Sequence, residues 1–202
     1  MTFQEAFFTS LVWQKITWLG VPILKNPMDL FIYQEILHEV KPDTIIECGT
    51  AAGGSALYLA SICDLMGHGK VITIDINGYA EARKHPRITY LVGSSVSPDI
   101  LDQAKGIAEG KILVILDSDH TKDHVSKEIA LYSPLVSSGS YLIVEDTCIN
   151  FDPMYNDHGP GPREAVEEFM KTSKDFVVDK EREKLLSTFN PGGYLRKMPE
   201  CC

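Results

Sequence analysis

Residues 44–76 read TIIECGTAAGGSALYLASICDLMGHGKVITIDI, and this stretch decides the fold. A β-branched apolar run over 44–49 ends at Gly49. Helical spacing then holds over 54–66 and stops at Gly67 and Gly69, and a second apolar run follows over 70–76. Continuous apolar strands alternating with helices indicate a parallel sheet covered on both faces.

The alternation continues downstream. Strands are expected over 88–93, 111–117, 141–146, 175–181 and 193–198, and helices over 98–108, 122–133 and 161–173. Pro162 fits the first turn of the last helix. The link KLLSTFNPGG (184–193) is too short for a crossover helix, and its Asn-Pro-Gly-Gly run reads as a turn. The last two strands should therefore pair as an antiparallel hairpin at one side of the sheet. The expected fold is α/β and Rossmann-like: seven strands, mostly parallel, with an antiparallel last strand. Residues 1–40 read as a helical extension laid over the sheet, and 41–202 as the cofactor-binding body of a single domain.

Composition narrows the function. The net charge is −9 and no Lys/Arg cluster exists, which argues against nucleic acid as the main ligand. No run of about 18 uncharged apolar residues is present, so no membrane span is expected. Gln4, Glu5, Gln14 and Lys15 interrupt the first 20 residues, which therefore do not read as a signal peptide. Five cysteines at 48, 63, 148, 201 and 202 form no C-x-x-C pair, and a reducing cytoplasm is the expected compartment. The terminal Cys201–Cys202 pair carries no reading.

The glycine loop is one half of a site. In an open α/β sheet, ligands bind at the carboxyl ends of the strands. Glycines let the backbone approach a ligand there, and the following helix N-terminus points N–H groups at it. A dinucleotide site would show G-x-G-x-x-G, whereas this chain has G-x-x-x-G-G over Gly49, Gly53 and Gly54, with Glu47 in front. An acid at that place repels a pyrophosphate but suits a cationic ligand such as S-adenosylmethionine. Asp75, ending the second strand, can accept both ribose hydroxyls, and Ser94 and Ser95 are candidates for the adenine side. A tight turn needing Gly for packing, and serines at an ordinary loop start, are the structural alternatives.

The other half is acidic. ILVILDSDHTKDHV (112–125) runs an apolar strand into Asp117, and YLIVEDT (141–147) ends in Glu145 and Asp146. Adjacent strands lie about 4.8 Å apart, so three carboxylates should converge at the edge that holds the glycine loop. Such a cluster suits Mg²⁺, with Mn²⁺ or Ca²⁺ as substitutes. Helix capping is the plainer reading for Asp117 or Asp146 alone. His120, in the loop after Asp117, is placed to take a proton from a substrate hydroxyl. His124 should face solvent or pack on the helix. A His120/His124 pair binding zinc or iron is the alternative. Asp119 and Asp123 read as helix-start acids and Thr121 as a cap.

Together with WLGVPILKNPMDLFIYQEI, GPGPREAVEEF and TFNPGGYL, these segments resemble the cephalosporin hydroxylase-like family, a branch of the class I S-adenosylmethionine-dependent methyltransferases. The resemblance runs from Trp18 to Leu195. It implies a metal-dependent O-methyltransferase acting on a small molecule such as a sugar, phenol or antibiotic nucleus. Asp117, Glu145 and Asp146 would be metal ligands and His120 the base. Glu47, Gly49, Gly53, Ser55 and Asp75 fall in the cofactor motifs, and Asp117 borders the same site. A homo-oligomer is also expected, with Phe3, Phe7, Phe8 and Leu11 as a candidate subunit contact or a cover for the protein's own surface. The rivals are a metal-dependent hydroxylase or oxidoreductase and a non-catalytic protein of the same fold. The loop 147–164 reads as a lid, and Trp13, Trp18, Tyr155 and Arg163 as candidate substrate contacts.

Overall fold

A computed structural model describes residues 3–78, 84–150 and 158–199. Its centre is a seven-stranded sheet. Strands β3 (Thr44–Cys48), β4 (Lys70–Asp75), β5 (Ile88–Val92), β6 (Ile112–Leu116) and β7 (Tyr141–Val144) are joined by α3 (Gly54–Met66), α4 (Pro98–Ile107) and α5 (Lys122–Tyr132). Then follow α6 (Pro162–Thr172), β8 (Phe176–Val178) and β9 (Tyr194–Lys197). The order across the sheet is β5-β4-β3-β6-β7-β9-β8. The first five strands are mutually parallel, while β9 runs antiparallel to both β7 and β8. The expected hairpin is present, and its second strand is inserted between β7 and β8.

The register levels the strand ends. Cys48 pairs with Ile74 and with Leu116, and Leu116 with Val144. The ladder runs one residue further: the Asp117 N–H donates to Cys48 O at 2.7 Å and the Glu145 N–H to Leu116 O at 2.9 Å. Gly49, Asp117 and Glu145 therefore emerge at one edge because apolar strands of matched length bring them there.

Each face of the sheet buries its own core. One holds Ile46, Ile72, Val114 and Leu142 under α4, α5 and α6; the other holds Ile45, Val71, Leu113 and Ile143 under α2 (Pro27–Val40) and α3. Helix α2 turns Ile32, Ile36, Leu37 and Val40 to that core, each side chain contributing roughly 1.5–3 kcal/mol by leaving water. Asn26 starts the helix by accepting the Met28 N–H at 3.0 Å, with Pro27 in the first turn.

The N-terminal segment is not uniformly helical. Helix α1 (Phe3–Thr9) and a 3-10 turn (Val12–Lys15) precede an antiparallel ribbon, β1 (Thr17–Trp18) with β2 (Val21–Pro22). Leu19 and Gly20 both take positive φ, 48° and 82°, which makes the two-residue turn that a twisted hairpin requires. Phe7 and Phe8 lie against Phe189, so that part of the candidate subunit contact covers the chain's own surface, while Leu11 is exposed. Among the described residues no helix is long and apolar enough to cross a membrane.

Candidate active site

The glycine loop is shaped by close approach. Gly49 has φ +100°, and a Cβ there would lie 1.8 Å from Asp117 O. Asp75 Oδ2 accepts the N–H groups of Thr50 (3.0 Å) and Ala51 (2.9 Å), which fixes the loop against the end of β4. A cavity of about 420 Å³ opens in front of it, lined by Gly49, Ala51, Asp75, Ser94, Ser95, Asp117, Ser118 and His124 among others. Glu47, Gly53, Gly54 and Ser55 are outside its lining. Gly54 answers to packing, since a Cβ there would meet Pro22 O at 2.1 Å. Glu47 is buried behind the loop and accepts the Thr73 hydroxyl at 2.6 Å; burial lifts its carboxyl to about 7, against the pull of Lys25.

The acidic cluster stands beside this cavity. One donor atom each from Asp117, His120 and Asp146 lie within 4.8 Å of one another, the single such group among the described residues. His120 Nε2 is 3.2 Å from Asp146 Oδ2 and 3.4 Å from Asp117 Oδ1. Asp146 is held at φ 54°, a left-handed conformation that non-glycine residues adopt at a cost and often at functional sites. Glu145, nearly fully buried, falls outside the group of three, and its Oε1 has no hydrogen-bond partner. Burial raises the pKa of Asp146 and, more strongly, that of Glu145. Burial also opposes ionisation of Asp117, yet Lys25 and His120 hold it below its ordinary value.

The unanticipated member is Lys25. It is 4% exposed, and its ammonium contacts Asp117 Oδ2 and lies 2.7 Å from Glu145 Oε2. Burial works against that charge, but Asp117, Glu145 and Glu47 keep it protonated far above neutrality. Lys25 leaves Asp117 Oδ1, Glu145 Oε1 and the Asp146 carboxylate without a lysine partner. These are hard oxygens, and with the unpartnered Glu145 Oε1 they fit a divalent cation of the Mg²⁺ type.

A second cavity, of about 180 Å³, meets the cluster from the other side. Phe8, Trp13, Leu24, Ile149, His158 and Phe189 line it together with His120 and Asp146. Phe8 and Trp13 stack at 5.8 Å between ring centres, with Phe189 edge-on to both. The carboxylate cluster thus separates a cofactor-sized cavity from an aromatic one.

A family model described as rhamnosyl O-methyltransferase/CmcI matches residues 10–198. The chain belongs to that family. A rhamnosyl O-methyltransferase of Mycobacterium tuberculosis H37Rv is 40% identical over 96% of this chain and 82% of its own length. The Mycobacterium leprae rhamnosyl O-methyltransferase is 36% identical over 96% of this chain and 88% of its own. In fold, the chain is similar to CmcI solved with Mg and SAM (TM-score 0.71, 22% identity, 92% of this chain and 78% of that one). It is also similar to the mycinamycin-pathway methyltransferase MycE with Mg, SAH and mycinamycin VI (TM-score 0.55, 19% identity, 69% of this chain and 41% of that one).

Within this family member, the remaining candidates sort by contact. His124 is on α5 as expected; of the two expectations, solvent or packing, it packs, at the wall of the cavity of about 420 Å³, and it takes no part in the metal-capable group. Thr121 stands at the start of α5 without a side-chain cap bond; Asp119 accepts its N–H instead, at 2.8 Å. Trp13 lines the aromatic cavity. Trp18 packs edge-on to Tyr58 and donates to Ser61 Oγ, and Arg163 is bonded to Glu167 along its own helix. Tyr155 lies outside the described residues, as does 151–157 of the expected lid.

Asn190, read in the sequence only as part of a turn, supports Asp146. Its Oδ1 accepts the Asp146 N–H at 2.9 Å, while its Nδ2 faces the Tyr33 and Tyr194 hydroxyls. Asp29 anchors the same region by accepting from the Phe189 N–H and the Tyr194 hydroxyl; burial raises its carboxyl to about 6. Asn190→Leu keeps the volume and leaves a buried N–H unpaired, so thermal unfolding should show a loss of about 1–3 kcal/mol. Divalent-metal affinity should fall with it. Unchanged values in both would remove Asn190 from this role.

Proposed function

We propose that this chain methylates a hydroxyl of a rhamnose-type deoxysugar, on a glycolipid or other natural product, using S-adenosylmethionine and a divalent cation, Mg²⁺ first. The observation that carries the reading is the carboxylate–histidine cluster set between the two cavities, with Asp117 lining one and His120 and Asp146 lining the other. The names of the curated relatives support the sugar, and the Mg-containing structures of similar fold support the metal.

In this reading Asp117, Glu145 and Asp146 hold the cation, and the glycine loop with Asp75, Ser94 and Ser95 holds the methyl donor. Glu47 stands behind that loop as its buried acid. The cation supplies Lewis acidity that lowers the pKa of an acceptor hydroxyl, and the donor supplies an already activated methyl group. His120 Nε2 accepts the hydroxyl proton. Phe8, Trp13 and Phe189 pack against the C–H face and methyl of a deoxysugar and exclude water. Holding the two reactants in line accounts for much of the rate, because the methyl group needs little further activation. The three described cysteines, Cys48, Cys63 and Cys148, are free and buried, which supports a reducing cytoplasm.

The test is transfer of labelled methyl from S-adenosylmethionine to a rhamnoside. Transfer is expected with Mg²⁺, with at least about a hundredfold loss in chelator and recovery on adding Mg²⁺ or Mn²⁺. Failure to bind S-adenosylmethionine by calorimetry would overturn the reading.

A further inference from the structure

Beneath the cofactor cavity is a carboxylate that the methyl transfer does not use. Glu128, in the middle of α5, is fully buried. Its Oε1 accepts the Ser95 hydroxyl at 2.5 Å and the Ser118 hydroxyl at 2.6 Å, and His124 Nε2 stands 3.4 Å from the same oxygen. Ser95, Ser118 and His124 line the cavity; Glu128 does not. The Tyr132 hydroxyl donates to Ser95 O at 2.8 Å, which holds the loop to this network. Glu128 Oε2 is buried without a hydrogen-bond partner, and the buried carboxylate adds to burial in pushing up the pKa of the neighbouring Cys48 thiol.

A serine hydroxyl carries one hydrogen. Glu128 takes both of these, and His124 Nε2 also stands 3.2 Å from Ser95 Oγ, so Ser95 and Ser118 present lone pairs rather than hydrogens to the cavity. Their wall is a wall of acceptors. Asp75 marks the ribose end of the same cavity, which leaves this wall for the base.

We propose that Glu128 is a positioning residue that fixes Ser95 and Ser118 as acceptors and so makes the site selective for a 6-aminopurine over a 6-oxopurine. The inference rests on the methyl-donor reading of the cavity. An exocyclic amine brings hydrogens to oxygens that need them. A 6-oxopurine offers only the single N1–H and sets its O6 lone pairs against the second acceptor, and a site built for one hydrogen-bonding pattern strongly rejects its inverse.

The experiment is calorimetric titration with S-adenosyl-L-homocysteine and S-inosyl-L-homocysteine. The wild type should bind the adenosyl compound at least about tenfold more tightly. In Glu128→Gln the new amide N–H can turn a serine hydroxyl toward the cavity, and the ratio should collapse to within about threefold. Ser118→Ala, which removes an acceptor and leaves the carboxylate in place, should narrow the ratio too. It covers the case in which the Glu128 variant does not fold. A purely structural Glu128 would weaken both ligands alike, and an unchanged ratio in both variants would overturn the proposal. So would equal binding of the two compounds by the wild type. Binding of neither would instead remove the methyl-donor reading itself, and this inference with it.

Discussion

His120→Ala is expected to lower kcat by about 10²–10⁴, the usual contribution of a positioned general base, with a much smaller change in affinity for the methyl donor. The geometry explains why. His120 Nε2 stands between Asp117 Oδ1 and Asp146 Oδ2, at the border of the aromatic cavity. Burial pushes the imidazole pKa down, but the two carboxylates more than compensate and hold it at about 9, against an ordinary 6.5. Without a metal the ring is therefore a cation at neutral pH. A divalent cation on the same carboxylates cancels their field, which returns the ring to the neutral form a base needs.

That shift has a second consequence, in stability. A folded-state pKa above the unfolded one gives stabilisation that is complete below pH 6.5 and is lost as the pH rises through 9. Glu47 and Asp29, raised by burial to about 7 and about 6, have the same sign but act at lower pH. Glu47 and Asp29 therefore act mostly below pH 7, and the part of the slope between pH 7 and 9 that a His120 substitution removes is the histidine's own. Melting in chelator should decline across that window in the wild type and be flatter in His120→Gln. A wild-type curve as flat as the variant's would show that the carboxylates do not hold the proton on His120.

Much of this was legible in the sequence because it rested on local patterns. Apolar runs closed by Gly49, Asp75, Asp117 and Glu145 placed the strand ends, and parallel pairing levelled them. The α3 boundaries came directly from Gly54 and the Gly67 stop. The ribbon at Thr17–Pro22 was hidden because Leu-Gly is an unusual two-residue turn, and only the positive φ of Leu19 makes it one. For His124 the sequence leaves solvent and packing both open; packing holds, because Glu128 lies one helical turn on, a spacing that allows contact. The Asn190 contact with Asp146 is long-range, and nothing in a turn motif announces it. Lys25 was the largest omission. It is 92 residues from Asp117 in sequence, and a lysine between Leu24 and Asn26 reads as a surface charge. One signal was available: three converging acids with a single histidine beside them need more positive charge than it supplies, and the chain itself provides it through Lys25.

Lys25→Met tests that point, and its effect on stability should be the largest of any substitution considered. Methionine keeps much of the stem and removes the charge, leaving Asp117 and Glu145 buried with no counter-ion at Oδ2 and Oε2. Breaking a buried pair from one side costs about 3–5 kcal/mol. For a chain of this length that corresponds to a fall of roughly 6–20 °C in Tm, measured in chelator. The same substitution makes the site more negative by one charge, so a divalent cation gains what the protein has lost. Mg²⁺ should therefore bind Lys25→Met more tightly than the wild type, and the Tm rise on adding Mg²⁺ should be larger in the variant. If Lys25 instead serves to hold Glu145 in place for the metal, affinity moves the other way while the Tm loss remains. The sign of the change in Mg²⁺ affinity thus separates a counter-ion that competes with the metal from a tether that prepares its site. The shared contact with both Asp117 and Glu145 favours the counter-ion, because a tether for one ligand needs only one partner.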